Sequence, residues 1–211
     1  MLLWYTSSMK TIKSEIIDEQ IIQKSKFITH LIPVSSEEQA KTRLSEIKKQ
    51  HPKAHHHCTA LVIEDIVRSN DDGEPASSAG LPMLQMLQAH DLNYVLAVVI
   101  RYFGGIKLGV GGLIRAYSSS VQQAIEQAAL FEKTIVYQVM VEIDFDQLSI
   151  IETQLNNQAE IKERFYSDKA GFELEVYDLT LLDKLYDLSN GRLIIVDQQP
   201  VEKWIEMKKS L

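Results

Sequence analysis

The nine residues Tyr94-Val-Leu-Ala-Val-Val-Ile-Arg-Tyr102 form a nearly continuous apolar run, the pattern of a strand buried on both faces. The run leads directly into Phe103-Gly-Gly-Ile-Lys-Leu-Gly-Val-Gly-Gly112, which holds five of the chain's nine glycines. From Leu113 to about Leu130 a long helix follows, with Ile114, Tyr117, Val121, Ala124, Ile125 and Ala128 on one face. A buried strand, a glycine-rich turn and an amphipathic helix in direct succession demand an α/β architecture.

The flanking segments fit that frame. Residues 26–34 read as a strand ending at Pro33, and Ser35-x-x-Glu38 as a capping box for a helix that stops before Pro52. His57 to Val67 reads as a strand and residues 68–80 as a loop, with Pro82 in the first turn of the next helix. Beyond residue 131 the order reads β-α-β-β-α-β: strands at 135–145, 160–167, 172–177 and 192–197, helices opening near Asp146 and Thr180. That is the split, ferredoxin-like arrangement. A short terminal helix is expected around Trp204.

Charge divides the chain at the same place. Up to Phe131 there are 13 Lys and Arg against 13 Asp and Glu; from Glu132 onward there are 9 against 16, so the whole net charge of −7 lies in the second part. Two domains are therefore expected, 10–131 and 132–211, after a start over residues 1–9 without periodicity. The net charge argues against strong, charge-driven binding to duplex DNA. The single cysteine, Cys58, excludes an internal disulfide. No apolar run approaches the roughly 20 residues of a membrane helix, and no secretory signal is visible, so the expected compartment is the cytoplasm, with no membrane partner.

Three segments carry chemistry-bearing residues. In the glycine segment, Arg101, Lys107 and Arg115 supply positive charge around backbone that can approach a ligand closely. It matches neither the dinucleotide fingerprint, where Ile114 replaces the third glycine, nor a P-loop. A tight structural turn and a phosphate-contacting surface both remain open. In Asn70-Asp-Asp-Gly-Glu-Pro75, running into Ser77-Ser-Ala-Gly80, the carboxylates do not have EF-hand spacing and read as acceptors for backbone amides in turns. In His55-His-His-Cys58, alternation puts His55 and His57 on one side and His56 and Cys58 on the other. A zinc site would need a third ligand, and a histidine hydrogen-bonded to a carboxylate is the simpler reading. No metal and no cofactor is expected.

Taken together, the His-His-Cys strand, Asp-Asp-Gly-Glu-Pro-x3-Ala-Gly-x-Pro-Met-Leu and Arg-Tyr-Phe-Gly-Gly-x2-Leu-Gly-x-Gly-Gly-Leu-x-Arg-Ala-Tyr closely resemble the IMPACT family, in its bacterial YigZ/YvyE-type branch. The resemblance covers about Lys24 to Ala129 and implies an N-terminal two-layer α/β domain like domain IV of elongation factor G. The second part looks like the ferredoxin-like domain that bacterial members append. The family surface carried onto this chain has a nucleic-acid or phosphate-binding set: Arg101, Tyr102, Gly104, Gly105, Lys107, Gly109, Gly111, Gly112 and Arg115. Its site-shaping set is His56, His57, Asp71, Asp72, Gly73, Glu74 and Tyr117. Two departures are visible: Leu81 where many members have Lys, and Ser77-Ser78 in place of a Gly-Thr type pair.

For bacterial members the resemblance implies nucleic-acid or ribosome association without a settled activity, and the expected function is that of a non-catalytic protein that binds RNA or a ribosomal or translation partner. Arg101, Lys107 and Arg115 with Tyr102 or Phe103 would make a small basic, aromatic patch of the type that binds single strands. Two alternatives stand beside this. One is a nucleotide-binding small-molecule kinase, suggested by Glu74-Pro-Ala-Ser-Ser-Ala79; the other is a pure protein-interaction module.

Overall fold

The computed structural model describes residues 9–155 and 158–207. The unstructured start expected over residues 1–9 lies outside them, Met9 excepted. The chain divides into two compact units, one running to Glu132 and including the end from Glu206, the other spanning Lys133–Ile205.

The first unit contains β1 (Lys10–Thr11), β2 (Ile16–Ile22), β3 (Ser25–Pro33), α1 (Glu37–Gln50), β4 (His56–Ile63), β5 (Ile66–Asn70), α2 (Gly80–Ala89), β6 (Val95–Tyr102) and α3 (Gly109–Gln127). Its sheet has the order β2-β3-β6-β4-β5, every neighbour antiparallel. The apolar run is thus the central strand. Val95, Ala97 and Val99 pack with Phe27, Leu31, Met83 and Tyr117 under α2 and α3. Leu96, Val98 and Ile100 pack with Ala40 and Ile47 of α1 on the other face. Helix α1 therefore adds a layer to the two formed by the sheet and the α2–α3 pair. Burying one side chain such as Phe27, which is 0% exposed, contributes roughly 1.5–3 kcal/mol.

Several local readings shift. The cap of α1 is Ser36, whose hydroxyl accepts the Gln39 amide at 3.1 Å, while Gln39 reaches back to the Ser35 amide at 2.7 Å. The capping box is displaced by one residue from the Ser35/Glu38 pair. The strand read over 57–67 is a hairpin that turns at Glu64-Asp65, and β5 extends through Arg68-Ser-Asn70, which composition alone assigns to a loop. Strand β2 escapes a reading by pattern because Ile16-Ile-Asp-Glu-Gln-Ile-Ile22 does not alternate; pairing with β3 makes it a strand. Helix α3 begins at Gly109, four residues before Leu113, so Gly109, Gly111 and Gly112 lie within its first turn.

The second unit is built from β7 (Phe131–Ile143, its first two residues in the first unit), a 3-10 turn at Phe145–Gln147, α4 (Leu148–Leu155), β8 (Ala159–Tyr166), β9 (Ala170–Val176), α5 (Thr180–Leu188) and β10 (Ile194–Glu206, its last residue in the first unit). Strand β9 lies antiparallel between β7 and β8, and β10 pairs with the other side of β7. This is the ferredoxin-like split βαβ order. Val139, Val141, Phe172 and Leu174 pack against Ile151, Leu155, Leu182 and Leu185. The terminal helix expected around Trp204 is instead the second half of β10. Pro200 and the helix formers after it suggest a helix start, but an edge strand tolerates proline.

Candidate nucleic-acid interface

Alternation along β4 and β6 sends adjacent residues to opposite faces of the first sheet. Arg101 lies opposite His56 in the register, and Ile100 opposite His57. Arg101 lies on the α3 side. There its Nη1 donates to Glu74 Oε1 at 2.6 Å and its Nη2 to Ser25 Oγ at 3.3 Å. The Tyr117 hydroxyl donates to the same Glu74 oxygen at 2.8 Å, and His56 Nε2 stands 3.8 Å from it. Arg101 and Glu74 are 5% and 8% exposed.

This burial corrects the sequence reading of Arg101 as a phosphate contact. Its charge is met inside the fold by Glu74, 27 residues away in sequence and brought close by the hairpin. Burial also pushes the Tyr117 phenol far above its ordinary pKa, reinforced by Cys58 and Glu74, so it stays a donor. The Cys58 thiol is pushed up to about 12, again mainly by burial, and remains protonated at neutral pH. It donates to the Asp71 carbonyl at 3.0 Å, and a thiol held in that state is a poor nucleophile.

The Asp71–Glu74 loop is held by its own carboxylates. Asp71 Oδ1 accepts the amides of Ala79 and Gly80, at 3.0 and 2.8 Å, and Oδ2 accepts that of Ser77 at 2.8 Å. Helix α2 has no side-chain cap from its own N-cap residue, Ala79, so Asp71 satisfies these orphan amides from eight and nine residues upstream. Asp72 accepts the His57 amide at 2.7 Å and pairs with Lys48 at 3.3 Å. The Asp72 carbonyl lies 2.9 Å from His56 Nδ1, and Gly73 sits against that ring. Among the described residues, no group of three or more His, Cys, Asp or Glu is placed to hold a metal ion.

Tyr102 points the other way from Arg101. It packs with the α1-side cluster, and its hydroxyl lies 2.9 Å from His51 Nδ1. The aromatic ring beside the glycine segment is Phe103, 40% exposed. Gly104 is fixed by proximity: a Cβ there would stand 2.0 Å from the Lys24 carbonyl carbon and oxygen, and its amide donates to Ser25 Oγ at 3.2 Å. Ser25 thus joins the buried Arg101 network to the start of the loop.

From there the chain is open. Gly105, Lys107, Gly109, Gly111 and Arg115 are exposed and Gly112 is at the surface with them, as are Ile106, Val110 and Ile114. The structure therefore brings Lys107, Arg115 and Phe103 to one exposed segment and places Arg101 and Tyr102 elsewhere. It also adds a residue that no motif points to. Lys24, exposed in the β2–β3 turn, has its backbone directly against Gly104, 80 residues later.

A two-unit α/β protein results, with a polar network buried beneath an exposed segment rich in glycine and positive charge. Residues 23–125 match the Impact N-terminal domain model. The chain is 41% identical over 189 residues to the IMPACT family member YvyE of Bacillus subtilis, covering 86% of this chain and 87% of that one. It is 38% identical to an IMPACT family member of Haemophilus influenzae, covering 87% and 93%. A crystal structure described as that of a hypothetical protein superposes with a TM-score of 0.58 at 33% identity, covering 89% of this chain and 96% of that one. The chain belongs to the IMPACT family.

Proposed function

We propose that this is a translation-related protein that binds RNA, alone or as part of the ribosome, through the Phe103–Arg115 segment. The observation that carries the reading is the exposure of that segment. Glycine backbone, Lys107, Arg115 and a half-exposed Phe103 ring stand at the surface, where phosphates and unstacked bases can reach them. The Glu74–Arg101–Tyr117 network beneath gives the segment a fixed floor. The family resemblance points the same way.

The start of α2 weighs against the kinase-like alternative. A phosphate loop at Ser77-Ser-Ala79 would offer backbone amides, and here those of Ser77, Ala79 and Gly80 are occupied by Asp71. A protein partner is the second reading, favoured by the exposed aliphatic side chains Ile106, Val110 and Ile114 at 40%, 53% and 38%.

The test is sedimentation of the full chain with ribosomal subunits at low and high salt, alongside binding of a labelled single-stranded oligoribonucleotide. Lys107→Glu with Arg115→Glu should leave the fold intact and weaken association more than tenfold, about 1.4 kcal/mol or more. Reversal at Lys184, exposed on α5, is the control. Lys203 and Lys208 would not serve, because Lys203 is ion-paired with the buried Glu175 and Lys208 lies outside the described residues. Equal behaviour of the segment variant and the control would make the segment a structural turn and favour the protein-interaction reading.

A further inference from the structure

An open hollow of about 300 Å³ lies between the β2–β3 turn and α3, lined by Gln23, Leu108, Gly112, Arg115 and Ser119 among others. No acidic side chain among the described residues lines it. Arg115 is exposed and forms no ion pair among them, and neither does Lys24, whose backbone abuts Gly104 next to Gln23. The donors around the hollow come from two elements more than 90 residues apart: an amide side chain, a guanidinium and a hydroxyl. The Ser119 hydroxyl donates to the Ala116 carbonyl at 3.0 Å and would exchange that bond to serve a ligand.

The turn itself is unusual. Gln23 and Lys24 are its two central residues, and both are left-handed, with φ of 45° and 66°. A two-residue hairpin turn of this kind is most relaxed as Asn-Gly. Here a long amide and a long cation occupy positions where small residues would relieve strain.

We propose that this hollow is a phosphate subsite for the backbone of single-stranded RNA, with Arg115, Gln23 and Ser119 lining it and Lys24 at its rim. The subsite rests on the RNA-binding reading and extends it, replacing the buried Arg101 with Lys24 as a cation of the interface. A hollow that offers one guanidinium, one amide side chain and one hydroxyl between the apolar Ile22, Leu108 and Ala116, with no carboxylate, favours an anion. An oxyanion there can be met by the planar Arg115 fork, and a strand crossing the exposed glycine segment could reach it.

The chemistry suggests a variant that draws the Gln23 amide back by one methylene and removes the Lys24 side chain without threatening the fold. Gln23→Asn with Lys24→Gly installs the relaxed turn and should unfold at or above the wild-type temperature. Its affinity for a labelled single-stranded oligoribonucleotide should fall five- to tenfold, with a salt slope smaller by about 0.7 for each phosphate no longer neutralised. Ser119→Asp, which puts a carboxylate into the hollow, should fall at least as far. In parallel, inorganic phosphate is titrated into the wild-type chain while the amide resonances of Gly112, Arg115 and Ser119 are followed, and these should shift. If Lys107→Glu weakens RNA binding but the turn and Ser119 variants do not, the subsite is overturned while the RNA reading stands. If the wild type binds no RNA yet phosphate shifts those three resonances, the hollow is an anion site and the RNA reading falls. If phosphate shifts nothing there and no hollow variant changes RNA affinity, the subsite is refuted outright.

Discussion

Replacing Glu74 by Gln tests whether the buried network holds the first unit together. The substitution keeps the side chain's shape and an oxygen that can accept from Tyr117, so it removes little but charge. It leaves the Arg101 guanidinium, with a side chain only 6% exposed, inside the fold without a counter-ion. The Nε of Arg101 already has no hydrogen-bond partner, and its remaining bond, from Nη2 to Ser25 Oγ at 3.3 Å, goes to a neutral hydroxyl that cannot replace the lost charge. Breaking a buried ion pair from one side typically costs about 3–5 kcal/mol. A domain has only about 5–15 kcal/mol in total, so the variant should be strongly destabilised yet still able to fold. With a urea slope of about 2 kcal/mol per molar, the midpoint of the first unit should drop by roughly 1.5–2.5 M. Urea titration followed by far-UV circular dichroism gives that midpoint. The double variant Glu74→Gln with Arg101→Met removes both charges and should recover at least half of the loss, because an apolar replacement of a buried pair is often close to neutral. A single-variant loss below about 1 kcal/mol, or a double variant whose loss equals the sum of the singles, would refute the reasoning.

Two further outcomes follow from the site geometry. Asp71→Ala leaves the amides of Ser77, Ala79 and Gly80 without their acceptor and should cost about 1–3 kcal/mol, with faster amide exchange confined to the first turn of α2; unchanged exchange there would mean that the cap is dispensable. Burial lowers the pKa of both His51 and His57 from 6.5, with the His30 and Lys26 charges adding to the effect at His51. Each binds fewer protons folded than unfolded, so stability is complete above pH about 6.5 and declines as pH falls through the lowered folded values. Denaturation midpoints measured from about pH 7.5 to about pH 5 should therefore fall, and His57→Gln should flatten the decline; an unchanged slope in that variant would exclude His57 as its source.

The central strand, the long helix after it and the βαββαβ order are all legible in the amino-acid sequence, because each is written in short-range periodicity. Tyr94–Tyr102 is apolar almost without a break because helices cover both faces of the strand it forms. The alternating and helical patterns beyond Phe131 report one buried face each. Strand β2 and the end of β10 are not legible. Ile16–Ile22 does not alternate, and Lys203-Trp-Ile-Glu206 mixes helix and strand formers, so pairing with β3 and β7 decides their conformation where local pattern does not.

The interface shows the same division more sharply. Glycine and positive charge between Phe103 and Arg115 are properties of the sequence, and so is the presence of Arg101 two residues earlier. Which cation faces water is not. Strand alternation turns Arg101 inward, the hairpin carries Glu74 to it across 27 residues, and Tyr117 arrives from a helix 43 residues beyond Glu74. Lys24 reaches the surface beside Gly104 only because β3 pairs with β6, aligning Lys26 with Tyr102. Hydrophobic patterning is a sum of local burial preferences, whereas the solvation of one charge depends on whichever partner the folded chain places within about 3 Å of it.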